Sequence, residues 1–85
     1  MRITDIQPTP NPNAMKLLLD APAADGTKSY FNPAAAHGDP LATALFAIPG
    51  VAGVMLLNTM ITISKRRDAD WPAILAAART VVEAF

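Results

Sequence analysis

The sequence predicts a two-layer α/β domain of the α+β kind, a mixed sheet of four to five strands with two helices on one face, in the order β-β-β-α-β-β-α. Three observations carry that prediction. Short runs of alternating apolar and polar residues recur along the chain, two stretches repeat apolar residues at helical spacing, and no linker is long enough to divide the 85 residues into two domains. Residues 1–85 are therefore read as one domain.

The elements follow in order. Arg2 to Gln7 carries Ile3, Thr4 and Ile6 and stops at Pro8, a first strand. Pro8-Thr9-Pro10-Asn11-Pro12-Asn13 can be neither helix nor central strand, because its prolines lack amide donors and push their predecessors to extended geometry. Ala14 to Leu19 resumes as a strand with Met15, Leu17 and Leu19 on one face. Asp20 to Thr27 is a surface loop whose Asp25-Gly26 pair suits a hairpin returning through Lys28 to Phe31. Asn32 to Gly38 is long enough for one helical turn closed by glycine. Asp39 as N-cap and Pro40 at the first helical position start a helix with Leu41, Ala44, Leu45 and Ile48 inward, and Pro49-Gly50 ends it. Val51 to Leu57 and Met60 to Lys65 are strands joined through Asn58-Thr59. Last, Asp70 caps a helix with Trp71, Ile74, Leu75, Ala78, Val81, Val82 and Phe85 on its apolar face, Trp71 and Phe85 supplying the largest share of burial.

Composition narrows function by exclusion. There is no cysteine, hence no disulfide, thiolate zinc site, cysteine-held iron–sulfur cluster or thiol nucleophile. Lys and Arg number 7 against 7 Asp and Glu, so the basic excess usual for nucleic-acid binders is missing. Leu41 to Ser64 carries no charge and is followed by Lys65-Arg66-Arg67, which imitates a membrane span, but Pro49-Gly50, Asn58-Thr59 and the alternation of Ile61, Thr62, Ile63 and Ser64 argue for helix, turn and strands. No secretory h-region precedes the first strand, so the expected start is Met1 and the expected location cytoplasmic.

No catalytic constellation emerges. His37 is the only histidine, and Ser29 and Ser64 lie in strands without a glycine elbow, so the chain is read as not an enzyme. Asp20 and Asp25, or Asp68 and Asp70, match no calcium loop, and neither metal nor cofactor is expected. Lys65-Arg66-Arg67 reads as a solvated turn that protects a sheet edge. The candidates for partner binding are Pro10, Asn11, Pro12 and Asn13 in the preorganised turn, Phe46 projecting away from the inward face of its helix toward the rim or solvent, and the Asn58-Thr59 turn. Asp39, Pro40, Gly50, Asp70 and Trp71 are assigned structural roles.

Several of these stretches also carry a resemblance. Gln7-Pro8-Thr9-Pro10-Asn11-Pro12-Asn13-Ala14-Met15-Lys16, then Pro40-Leu41-Ala42-Thr43-Ala44-Leu45-Phe46-Ala47-Ile48-Pro49-Gly50-Val51, then Ile61-Thr62-Ile63-Ser64-Lys65, and finally Asp70-Trp71 resemble the N-terminal domain of Nfu-type iron–sulfur scaffold proteins, over residues 2 to 85. The resemblance implies a mixed-sheet α/β fold outside the membrane and a role near cluster assembly or delivery. In full-length members it implies a cluster held by a CxxC of a second, C-terminal domain, and no such ligand can be carried onto this cysteine-free chain. Met55, Leu57, Thr59 and Met60 depart from the aromatic, glycine, aspartate and phenylalanine usual there. The function expected is a cluster-free accessory or interaction module, monomeric, meeting the cluster-assembly machinery or apo-client proteins. A peptide-binding domain unrelated to iron, or the N-terminal part of a longer scaffold, is the alternative.

Overall fold

The computed structural model describes residues 1–85. Its elements are β1 (Ile3–Pro8), β2 (Ala14–Leu19), β3 (Thr27–Tyr30), a single 3-10 turn (Pro33–Ala36), α1 (Pro40–Phe46), β4 (Val51–Leu57), β5 (Met60–Lys65) and α2 (Trp71–Glu83). The predicted order of elements therefore holds. Five strands form one sheet in the order β1-β2-β5-β4-β3. Every neighbouring pair runs antiparallel, so the sheet is not mixed as expected.

The expected hairpin across Asp25-Gly26 does not form either. β3 leaves β2 behind and pairs with β4 at the far edge, Tyr30 opposite Val54. The reason is that β2 already has two partners, with Ile6 and Ile61 flanking Leu17. This places β5 in the middle of the sheet, and Lys65-Arg66-Arg67 at its end guards no edge.

Alternation decides which strand residues are covered. Leu17, Leu19, Val54, Leu56, Ile61 and Ile63 point to the helices and are buried, within one core cluster of 16 residues. The opposite parity, Leu18, Met55, Leu57, Met60 and Thr62, faces away from the helices and is only half-buried. A register shift between Val51 and Gly53 lets Val51 and Val54 both point inward and pushes Ala52 out into solvent.

The helices close the core. Asp39 caps α1 by accepting the Ala42 N–H at 3.2 Å, with Pro40 in the first turn as expected. Leu41, Ala42 and Leu45 are the buried face of α1, so Ala42 takes the place given to Ala44. In α2 the buried residues are Ile74, Ala78 and Val82, whereas Trp71 is half-buried and Phe85, past the helix end, is 52% exposed. Aliphatic residues thus fill the space assigned to the two aromatics. Asp70 stands at the N-cap position of α2, but its side chain accepts no hydrogen bond from the helix. Pro72 explains part of this, since it removes one of the N–H groups a cap would bind. No helix is long and apolar enough to cross a membrane.

Candidate functional site

Antiparallel pairing brings the turn before β2, the end of β3, the start of β4 and the end of β5 to one end of the sheet. The Asn58-Thr59 turn lies at the other end, a strand of seven residues away, or roughly 20 Å at the usual rise per residue. The seven residues proposed to bind a partner are therefore not one surface.

At the first end the proline–asparagine turn is tied inward. The Thr9 hydroxyl shares its one proton between the carbonyls of Asn11 at 2.8 Å and Ala14 at 3.1 Å, and Asn11 Oδ1 accepts the Asn13 N–H at 2.9 Å. Asn13 offers its carbonyl to the Lys65 N–H at 2.8 Å and its Oδ1 to Lys65 Nζ at 3.1 Å. The Trp71 indole N–H donates to the Pro12 carbonyl at 2.9 Å across 59 residues of chain. Lys65 Nζ, 5.9 Å from the centre of the Trp71 ring, also donates to the carbonyls of Arg66 and Arg67. So Lys65 is a structural cation with all three donors engaged, not a solvated charge.

This clasp explains the alternation of prolines. A turn already restricted by Pro8, Pro10 and Pro12 loses little freedom on docking, so a few bonds hold it in place. The oxygens of Asn11 and Asn13 are occupied within the protein. Their side-chain NH2 groups and the exposed rings of Pro10 and Pro12 are what remains for a partner.

The clasp continues through Arg66 to the end of α1. The Arg66 N–H donates to the Gly50 carbonyl at 2.8 Å, docking the loop before α2 onto Pro49-Gly50. Gly50 has φ +93, and a Cβ there would lie 2.6 Å from Ala69 Cβ. Conformation and contact both require glycine.

Beside this framework lie two grooves that share Phe31 and Ala52. The larger, about 440 Å³, runs between Phe31, Phe46 and Arg66. The smaller, about 220 Å³, lies on the uncovered face of the sheet over Gly53, Thr62 and Ser64. Phe46 is half-buried and packs against the core while forming one wall, so it presents only part of its ring. Phe31 is 82% exposed. The Thr62 hydroxyl, in the smaller groove, is the one buried side-chain oxygen without a hydrogen-bond partner.

Phe31 is the residue sequence reading missed. Its signal was available: Tyr30 and Phe31 are consecutive aromatics at the end of a strand, and alternation sends one of them away from the core. Tyr30 takes the inner place, donating its phenol to Asp39 Oδ2 at 3.0 Å. Partial burial first, then this hydrogen bond and the Asp39 charge, push the Tyr30 phenol above its usual 10.0. His37 is exposed and lines neither groove. No group of three His, Asp or Glu side chains is placed to hold a metal ion.

At the opposite end, Asn58 adopts φ 49, a left-handed conformation that asparagine tolerates. Its Oδ1 accepts the Gly26 N–H at 3.3 Å and its carbonyl the Ala23 N–H at 2.7 Å, while the Thr59 carbonyl accepts the Leu19 N–H at 2.8 Å. This turn anchors the loop of residues 20–26 that carries the chain to the far edge of the sheet.

The comparisons with known proteins agree with this architecture. The model of the family described as scaffold protein Nfu/NifU N terminal matches residues 3–85. The uncharacterized protein YpgR of Bacillus subtilis is 36% identical over 81 residues, 94% of this chain and 22% of that protein. The NFU1 iron–sulfur cluster scaffold homolog, mitochondrial, of Drosophila erecta is 37% identical over 93% of this chain and 29% of its own length. The chain thus spans less than a third of these relatives. Among solved structures, the Staphylococcus aureus protein SAV1430 superposes with a TM-score of 0.77 at 25% identity, covering 96% of this chain and 99% of that one. A NifU-like protein from Saccharomyces cerevisiae gives a TM-score of 0.75, also at 25% identity, over 96% of this chain and 77% of that one. With the family model matching all but the first two residues and the fold shared with a NifU-like protein, the chain belongs to the Nfu/NifU N-terminal domain family.

Proposed function

We propose that this domain is a non-catalytic interaction module of iron–sulfur cluster assembly or delivery, one that engages a protein partner without holding the cluster itself. Membership of a scaffold family supports the pathway. The absence of cysteine supports the division of labour, because protein-held iron–sulfur clusters rest on thiolates and this chain has none to offer. The single observation that carries an interaction role is the exposed Phe31 beside the half-buried Phe46, over a groove at the end of the sheet where the clasp fixes the surrounding loops.

The clasp end is the better recognition surface of the two. Its loops are held by side chains from distant parts of the chain, so a partner would meet a preorganised surface and lose less entropy on binding. Pro10, Asn11, Pro12, Asn13 and Phe46 belong to it, and Asn58 and Thr59 act instead in holding the residue 20–26 loop.

The test is shift mapping of the isotope-labelled domain against cluster-assembly proteins and apo-client proteins, added one at a time. Amides of residues 31, 46, 11 and 13 should move together on addition of one of them. A spectrum unchanged by every such protein would refute the pathway. Ferrous iron alone should leave the spectrum unchanged, and tight binding through carboxylates would overturn the metal-free reading.

A further inference from the structure

The grooves beside Phe31 have a chemistry of their own. Phe31, Phe46 and Ala52 give the larger one an apolar wall and floor, and Arg66 is the only charged residue along either groove. The one ion pair of the protein is Arg79 with Glu83, on the exposed side of α2, so the Arg66 guanidinium has no carboxylate within 4.0 Å. The neighbouring acids are otherwise placed. Asp39 is engaged by Tyr30 and Ala42, while Asp68 and Asp70 share an adjoining hollow with Arg66 on its α2 side without pairing with it. The main chain of Arg66 is fixed by its bond to Gly50, which anchors the base of this exposed side chain at the groove's rim.

The floor is shaped for a main chain. Ala52 is the bulged residue of β4, exposed and shared by both grooves, and Gly53 beside it, itself buried against Ser64 and Tyr30, adds no side chain to the floor. A segment lying over them would pass from Arg66 past Phe31 onto the uncovered face of the sheet.

We infer that this groove takes an extended acidic segment of a partner protein, seating one apolar side chain between Phe31 and Phe46 and pairing a nearby Asp or Glu with Arg66. The inference deepens the interaction-module reading and rests on it. Charge complementarity selects the occupant: an apolar trough with one unpaired cation at its rim favours an apolar residue next to a carboxylate. A single cation in a chain of zero net charge does not suit a polyanion such as nucleic acid.

The experiment is selection from a displayed library of random peptides on the intact domain, followed by titration of the enriched peptides. Enriched sequences should place an apolar residue close to Asp or Glu, and their binding should shift the amides of residues 31, 46, 52 and 66. Arg66→Glu should weaken such a peptide by about tenfold and restore binding to its Lys-substituted version. Ala52→Trp should abolish binding by filling the crossing. Both side chains are exposed, so melting curves of the variants should match the parent and exclude unfolding as the cause. Enriched peptides without acids, equal binding to Arg66→Glu, or self-association of the domain through Phe31 would each overturn the inference. Peptide recognition that survives while no cluster-assembly protein perturbs the spectrum would reject the pathway and retain the groove.

Discussion

The two ends of the sheet are built from the same kinds of residue and are held together differently. At the Asn58-Thr59 end, backbone groups do almost all the work, and the loop of residues 20–26 is pinned by short main-chain bonds such as Ala23 N–H to the Asn58 carbonyl. At the other end, side chains bridge long sequence separations, Trp71 to Pro12 and Lys65 to Asn13, beside the main-chain bond from Arg66 to Gly50. The difference teaches that asparagine and proline in a turn announce saturated hydrogen bonding, not the identity of the partner. Here the partner of the proline–asparagine turn is largely the protein itself, and the surface left open lies beside it, at Phe31 and Arg66.

The comparison can be broken most readily at Gly50. Gly50→Ala forces a Cβ to within 2.6 Å of Ala69 Cβ in a left-handed conformation, and should cost about 2–4 kcal/mol in urea unfolding. A smaller loss than at Asn58 would mean that the clasp is not the more tightly coupled end.

Next in size is Trp71. Trp71→Ala removes a half-buried ring and the bond to Pro12 and should cost about 2–3 kcal/mol. Trp71→Phe keeps most of the ring and should lose about 1 kcal/mol. Equal losses in the two variants would assign the whole effect to the indole hydrogen bond, and an unchanged Trp71→Phe would assign it to packing and remove that bond from the account. Hydrogen exchange of the Asn13 and Ala14 amides should rise in both, because the turn is released at its tryptophan tether.

At the other end, Asn58→Ala should cost about 1 kcal/mol, combining a left-handed backbone with a lost bond to Gly26. Asn58→Gly should recover part of that by relieving the backbone, which separates conformation from hydrogen bonding. Neither change should disturb a peptide bound beside Phe31.

The smallest effect is a titration. The single tyrosine should ionise at a higher pH than free tyrosine, since its burial and Asp39 both favour the neutral phenol. Because the folded state holds this proton more tightly, the stability it contributes is present below about pH 10 and declines as pH rises through the ordinary value toward the folded one. Ultraviolet absorbance follows the phenol directly, and Asp39→Asn should lower its midpoint by removing the charge.

Much of the fold was legible in the chain. Alternation in Ala14 to Leu19 and Met60 to Lys65, the 3.6-residue spacing in Trp71 to Glu83 and the Asp39-Pro40 start are local signals, and each element formed within one or two residues of its expected place. Pairing was not legible. Nothing local in Lys28 to Tyr30 says that it will pass over β2 to reach β4, nor that Lys65 will end a central strand. Of the site, the proline–asparagine turn was visible as unusual, but its destination at Lys65 and Trp71 was not. Phe46 was visible as off the inward face, and Phe31 carried the fainter signal of a second aromatic at a strand end, but that the two rings border one groove was not visible.

The sequence by itself determined the elements, their order and the exclusion of thiolate chemistry, because periodicity, capping and composition act within a few residues or by absence alone. Tertiary packing alone turns Asn13 inward to Lys65, sets Asn58 and Thr59 apart from it, and makes Phe31, Ala52 and Arg66 border grooves that meet at Phe31. The physical reason is that hydrogen-bonding capacity and exposure belong to pairs of groups, and residues 59 positions apart in the chain meet only when the sheet and its helices have packed.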